Sequence, residues 1–101
     1  MFKLTGKVAL VVGGAGYLGT GVSRKLAEQG ASIVVADVDL QRTEEVIAGI
    51  QALNPPSEAK GIFLDITSQG CVEEIIKRIA EEYGQLHVLV NLAYAVSKAS
   101  V

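Results

Sequence analysis

The chain has 101 residues, half of them apolar, which is room for one packed domain and argues against disorder. Nine basic and eleven acidic side chains leave a formal charge of −2, without the concentrated basic surface that nucleic acid or an anionic membrane requires. The single cysteine, Cys71, excludes an internal disulfide and is compatible with a reducing compartment. We find no signal peptide and no apolar run long enough to span a bilayer, and therefore expect a soluble, cytoplasmic protein.

Predicted strands and helices alternate along the sequence. Four apolar runs, rich in β-branched residues, predict buried strands over 8–12, 32–36, 60–64 and 86–90. Apolar residues at helical spacing predict three intervening helices over 17–29, 41–53 and 68–83. Strands joined through helices of this length favour right-handed crossovers. The order β-α-β-α-β-α-β therefore predicts an α/β, Rossmann-like parallel sheet with helices on both faces.

A glycine-rich loop joins the first strand to the first helix, with the sequence Gly13-Gly14-Ala15-Gly16-Tyr17-Leu18-Gly19. A tight turn off a strand needs a residue that tolerates positive φ, and glycine does so without steric penalty. Close approach of a pyrophosphate to the backbone excludes a Cβ atom, and the N-terminus of the following helix attracts phosphate. This pattern predicts a dinucleotide site, with a glycine-rich connection of no other function as the alternative.

An acidic residue closes the second predicted strand. Asp37 lies eighteen residues beyond Gly19, where a carboxylate can accept hydrogen bonds from both hydroxyls of an adenosine ribose. A carboxylate also repels a 2′-phosphate, and the next residue is Val38 rather than an arginine. The sequence therefore favours NAD over NADP as the cofactor. The alternative is that Asp37 is a solvated strand end.

From Lys7 to Ser100 the sequence resembles the short-chain dehydrogenase/reductase family. The segment from Lys7 to Gly13 is similar to the family's opening strand and turn. The glycines at 13, 16 and 19 match the Gly-x-x-Gly-x-x-Gly spacing of the extended subfamily and resemble the loop of nucleotide-sugar epimerases, whereas the rest resembles the classical subfamily. The resemblance implies that 1–101 is a partial NAD(P)-binding Rossmann domain whose C-terminal half is missing.

The same resemblance implies roles for residues that follow the predicted strands. By similarity to the family's segment after the third strand, Asp65 would bond the adenine amino group and the backbone of Ile66 would lie against the ring. A turn or helix-capping acid is the alternative for Asp65. Asn91 and Ala93 match the family's Asn-Asn-Ala-Gly segment, which implies that they lie on the cofactor side of the sheet, although Leu92 departs from it. With the loop residues Gly13, Gly16, Tyr17, Leu18 and Gly19 and with Asp37, these four complete the predicted cofactor site.

Tyr94 and Lys98 resemble the family's catalytic Tyr-x-x-x-Lys pair. On a helix, residues four apart share a face, so the lysine can assist a tyrosine that acts as general acid or base during hydride transfer. The pair follows the segment Asn91-Leu92-Ala93 without a gap, whereas the family separates the two segments by dozens of residues and places a serine before the tyrosine. We expect that the chain is a deletion product or a fragment, or that the match is a coincidence, and that the active site is incomplete.

The leading hypothesis is the NAD-binding part of an oxidoreductase that interconverts secondary alcohols and ketones. The alternatives are a truncated product that binds nucleotide or regulates without turnover, and a fragment similar to nucleotide-sugar epimerases or dehydratases. The fourth strand, over 86–90, is apolar and nearly uncharged. Because it would form an unprotected sheet edge, we expect it to pair with a second copy or a longer homologue, or to cause aggregation.

Overall fold

Strands and helices alternate along the chain as the sequence predicts. The computed structural model describes residues 3–13, 15–53, 58–65 and 69–92, with residues 69–71 described by their backbone alone. The elements in chain order are β1 (Val8–Val12), α1 (Tyr17–Glu28), β2 (Ser32–Asp37), α2 (Leu40–Gln51), β3 (Ala59–Phe63), α3 (Gln69–Tyr83) and β4 (Val88–Asn91).

The four strands form one parallel sheet in the order β3-β2-β1-β4. Strand β1 is central, and all five of its residues are buried. The register pairs Val12 with both Ala36 and Asn91, and pairs Asp37 with Phe63. The carboxyl ends of the strands therefore meet at one edge of the sheet, where parallel α/β proteins form their ligand sites.

Helices cover both faces of the sheet, which confirms the predicted architecture. Side chains of α1 and α2 pack on one face, and those of α3 pack on the other. The alternation of side chains along each strand divides the core in this way, because successive residues point to opposite faces. On the first face the fully buried residues include Ala9, Val11, Ile33, Val35 and Ile50. On the second they include Leu10, Val34, Ala36 and Leu64.

Helix α1 approaches the sheet through small side chains. Its buried residues are Gly19, Ser23 and Ala27, whereas the side chain of Leu18 is 67% exposed. Small residues allow a helix backbone to lie close to a sheet, and Leu18 turns outward beside the glycine loop as a result. The Ser23 hydroxyl is buried and has no hydrogen-bond partner among the described residues.

Strand β4 begins two residues later than the sequence predicts, because His87 pairs with β1 through its side chain. The Val8 N–H donates to His87 Nδ1 at 3.0 Å, and the His87 N–H donates to the Val8 carbonyl at 3.0 Å. The imidazole nitrogen thus accepts the Val8 N–H bond that a backbone carbonyl would accept in a regular pair of strands. Strand β3 lies one residue earlier than predicted, so that Asp65 follows the strand end by two residues.

The two outer strands of the sheet, β3 and β4, differ in how well they are protected against pairing with a further strand. At the β3 edge, Gln51 Nε2 of α2 donates to the Ala59 carbonyl at 3.4 Å. Lys60 Nζ forms an ion pair with Glu82 Oε2 of α3 at 2.7 Å. Burial raises the pKa of Tyr83 to about 12, assisted by the charges of Glu58 and Glu82 and by the hydrogen bond that its hydroxyl donates to Glu58. Polar contacts and charge of this kind discourage the addition of a further strand.

Helix α2 packs closely on β3 because Gly61 has no side chain. A Cβ atom at Gly61 would overlap Cγ2 of Thr43. Thr43 is 1% exposed, and its hydroxyl donates to the Asp39 carbonyl at 2.8 Å. The threonine cannot easily move aside, since its rotamer is fixed by this bond and by burial.

We expect Gly61→Ala to lower the free energy of unfolding by about 1–3 kcal/mol, because the new methyl group overpacks the contact with Thr43. Gly49→Ala is the matched control. Gly49 lies within α2, where a methyl group would meet no described side chain within 4 Å, so alanine there should stabilise the helix by up to about 1 kcal/mol. Urea unfolding of both variants measures the difference, and equal midpoints would contradict the proposed close contact.

Candidate functional site

The glycine loop leaves β1 through a turn that only glycine adopts readily. Gly13 has φ +79°, which confirms the need for a residue that tolerates positive φ. The Gly13 N–H donates to the Ala36 carbonyl at 2.7 Å, and the Gly16 N–H donates to the Gly13 carbonyl at 3.3 Å. These bonds fold the loop against the end of β2 and direct the chain into α1. Gly14 lies outside the described residues.

No described side chain caps the N-terminus of α1 or neutralises its partial positive charge. Gly16 occupies the N-cap position and makes no side-chain capping bond, and the first turn holds no acidic residue. Tyr17 and Leu18, the first two helical residues, have side chains that are 92% and 67% exposed. The first N–H groups of a helix have no partner within it and carry a partial positive charge. This end of α1 can therefore accept an anion.

Space for such an anion exists beside Gly16. Among the described residues, a Cβ atom there would meet only the Gly13 carbonyl oxygen, at an ordinary contact distance of 3.6 Å. Gly16 has φ −76°, a conformation that any residue adopts. Neither backbone strain nor crowding within the described residues explains this glycine. A group bound closely against the loop would explain it, and the site therefore fits a pyrophosphate.

Asp37 lies next to the glycine loop, at the end of β2. Its carboxylate accepts two backbone hydrogen bonds: Oδ2 accepts from the Ala15 N–H at 3.1 Å, and Oδ1 accepts from the Asp39 N–H at 3.0 Å. The second bond is a local turn contact of a kind that an aspartate favours. The bond from Ala15 spans 22 residues and was not predicted from the sequence, which indicated only a ribose as the partner of this carboxylate.

The other predicted cofactor residues are only partly described. Asp65 is half-buried just beyond β3, and Asn91 is the last residue of β4, in register with Val12. Both therefore lie at the carboxyl ends of the parallel strands, as do the glycine loop and Asp37. The remaining predicted site residues lie outside the described residues: Ile66, Ala93, Tyr94 and Lys98.

An open depression of about 590 Å³ flanks the first turn of α1. Tyr17 and Leu18 line it together with two arginines, Arg24 of α1 and Arg42 of α2. The sequence did not indicate either arginine as part of the site. Both arginines line the depression and add positive charge to it.

Metal-ligand clusters and membrane spans are not found in the described part of the chain. No three side chains among its histidines, cysteines, aspartates and glutamates are grouped so that they could hold a metal ion. No described helix combines the length and the apolar character that crossing a bilayer requires.

Comparison with known proteins decides the family. The model of the family described as short chain dehydrogenase matches residues 7–100, which is nearly the whole chain. The chain belongs to the short-chain dehydrogenase family. A family assignment of this breadth confirms the resemblance inferred from the strand, loop and Asn91 segments, and it does not favour the epimerase-like alternative.

Individual relatives are much longer than this chain. Galactitol 2-dehydrogenase of Agrobacterium fabrum is 33% identical over 99 residues, which are 98% of this chain and 37% of the relative. An NAD⁺-bound xylitol dehydrogenase superposes with a TM-score of 0.79 at 29% identity, over 86% of this chain and 33% of that one. A metagenomic short-chain oxidoreductase in complex with NADP superposes with a TM-score of 0.80 at 27% identity, over 85% of this chain and 38% of that one. The chain thus spans little more than a third of these proteins.

We expect the two loop glycines to respond differently to alanine. Gly13→Ala should lower the free energy of unfolding by about 1–2 kcal/mol, because an L-residue is strained at φ +79°. Gly16→Ala should change it by less than about 1 kcal/mol, since its backbone is unstrained and its surroundings are open. Thermal or urea unfolding of the unliganded variants tests this, and a large loss at Gly16 would show that the fold itself requires that glycine.

Proposed function

We propose that residues 1–101 form the NAD-binding part of a short-chain dehydrogenase-like oxidoreductase. The observation that carries this proposal is the open, uncapped N-terminus of α1 at Gly16, placed beside the carboxylate of Asp37. The first offers backbone N–H groups to phosphate, and the second offers acceptors to ribose hydroxyls. When bound, NAD supplies a nicotinamide ring that accepts hydride from an alcohol.

Each predicted residue of the site then has a role. Gly16 leaves room for the pyrophosphate, which the N–H groups at Tyr17 and Leu18 would bind, while Gly13 forms the turn and Gly19 lets α1 pack closely on the sheet. Asp37 would hold the adenosine ribose. By resemblance to the family, Asp65 and Ile66 would hold the adenine, while Asn91 and Ala93 would lie on the cofactor side of the sheet.

The choice of NAD over NADP rests on Asp37. The structural neighbours include one protein bound to NAD⁺ and one bound to NADP, so the family alone leaves the choice open. A carboxylate close to the ribose opposes a 2′-phosphate through like-charge repulsion. Arg24 and Arg42 line the depression beside α1 and would favour the phosphate if they reached it.

We expect NAD to bind more tightly than NADP, and Asp37→Ala to reduce the ratio of their affinities by about tenfold. The ratio is informative because the two ligands share every group except the 2′-phosphate, so that any general damage to the loop cancels. Competition binding with both dinucleotides measures it. Equal affinity of the unchanged chain for NAD and NADP would contradict the role given to Asp37, and tighter NADP binding that Arg42→Ala abolishes would assign the phosphate to Arg42.

Tyr94 and Lys98 are proposed as a match to the family's catalytic pair without a complete site around them. The family's serine has no counterpart ahead of Tyr94, where α3 presents Glu81 and Glu82 to solvent. The hydroxyl that the family places before the catalytic tyrosine is therefore lacking at the corresponding position.

We therefore expect the 101-residue chain with NAD to show no dehydrogenase activity on secondary alcohols such as sugar alcohols. Absorbance of NADH at high protein concentration measures turnover. NADH production that Tyr94→Phe abolishes would show that the pair is functional, whereas production that survives the substitution would indicate a contaminating enzyme.

We also propose that isolated chains associate through the β4 edge. Strand β4 is the outer strand on its side of the sheet, and Leu89 is 52% exposed there. Val88 and Val90 are half-buried against the core shared with α1 and α2. These three side chains are apolar and cannot make polar contacts like those of Gln51 and Lys60 at the β3 edge. An uncovered apolar edge favours pairing with another strand.

We expect Leu89→Lys to shift the chain toward monomer, because a charged side chain at an exposed edge opposes strand pairing. Phe63→Lys is a matched control, since Phe63 is 51% exposed on the opposite, protected edge. Light scattering across a dilution series measures both. A monomer at every concentration of the unchanged chain would refute the association, and an equal effect of both lysines would show that it does not involve β4 in particular.

The cytoplasm is the location that we propose for this protein. Its one cysteine, Cys71, needs no oxidising compartment, and a dinucleotide-dependent oxidoreductase fits a cytoplasmic supply of NAD.

A further inference from the structure

We propose that Asp37 positions the glycine loop before any nucleotide binds, in addition to holding the ribose. This role rests on the proposed function, because the loop that Asp37 would position is the proposed binding site of the diphosphate. Its physical basis is the bond from the Ala15 N–H to Asp37 Oδ2, which joins the middle of the loop to the end of β2.

The loop is tied to β2 at two successive points. The backbone bond between Gly13 N–H and the Ala36 carbonyl, at 2.7 Å, holds the start of the turn. The bond between Ala15 N–H and Asp37 Oδ2, at 3.1 Å, holds its centre. Ala15 is 1% exposed in the folded chain, so its N–H depends on Asp37 for a hydrogen-bond partner. An unsatisfied buried N–H is costly, and the loop would move to recover a partner.

Only a carboxylate satisfies both N–H groups that face this side chain. Oδ1 accepts from Asp39 while Oδ2 accepts from Ala15. An asparagine has one acceptor oxygen, and its NH₂ group would confront the second N–H with another donor. The loop itself therefore requires the acid, in addition to the requirement of a ribose. Each carboxylate oxygen has a further lone pair, so ribose hydroxyls can bind while both backbone bonds persist.

This arrangement predicts that Asp37 affects a nucleotide with which it shares no hydrogen bond. In 2′,3′-dideoxy-ADP the ribose hydroxyls are absent, and the diphosphate alone reports on the loop. If Asp37 positions the loop, its replacement weakens dideoxy-ADP as well as ADP. If Asp37 acts only through the hydroxyls, its replacement weakens ADP and leaves dideoxy-ADP unaffected.

The experiment compares Asp37→Ala and Asp37→Asn with the control Asp39→Asn in the 101-residue chain. The control removes the same charge two residues away, and asparagine can still accept the capping bond from the Arg42 N–H. Hydrogen exchange, resolved to single residues by mass spectrometry, reports on the Ala15 amide without ligand. Ligand-observed NMR titrations give the affinities for ADP and dideoxy-ADP.

We expect exchange at Ala15 to accelerate at least about fivefold in both Asp37 variants and to stay unchanged in Asp39→Asn. Dideoxy-ADP affinity should fall about threefold to tenfold in the Asp37 variants and should not fall in the control. Unchanged exchange at Ala15, or unchanged dideoxy-ADP affinity beside weakened ADP, would overturn the positioning role. Accelerated exchange in a chain that binds neither nucleotide would retain the positioning role and refute the proposed cofactor function.

Discussion

The arrangement of the candidate site depends on the hydrogen bonds that join the turn after β1 to the end of β2. The Gly13 N–H reaches a backbone carbonyl of β2, and the Ala15 N–H reaches the carboxylate of Asp37. These two bonds determine where α1 begins and which way its first N–H groups point. They also bring the uncapped end of α1 and the acidic side chain together. A dinucleotide needs both features at once, because its diphosphate and its ribose are covalently joined.

The sequence predicted the features that local pattern encodes. Continuous β-branched runs indicated buried parallel strands, and the helical spacing of Val72, Ile75 and Ile79 indicated the face of α3 that packs on the sheet. Glycine at position 13 indicated a positive φ, since few other residues adopt it. These signals are contained within a few consecutive residues, and they sufficed for the parallel sheet and for the position of the loop.

Contacts between distant residues were beyond such reasoning. The bond of Ala15 to Asp37 and the bond of Val8 to His87 span 22 and 79 residues, and each depends on how two elements meet. The packing of Gly61 under Thr43 is of the same kind. The sequence did not predict the role of His87, because no sequence signal indicates a side chain that completes a backbone ladder.

The proposed function requires that the 101-residue chain bind NAD at the start of α1. Calorimetric titration of the purified chain with NAD, with adenosine as the ligand that lacks a diphosphate, tests it most directly. Saturable heat corresponding to one NAD per chain, with adenosine binding at least about tenfold more weakly, is the expected result. No saturable binding of NAD at millimolar concentration, or equal binding of adenosine, would contradict binding of the diphosphate at the start of α1.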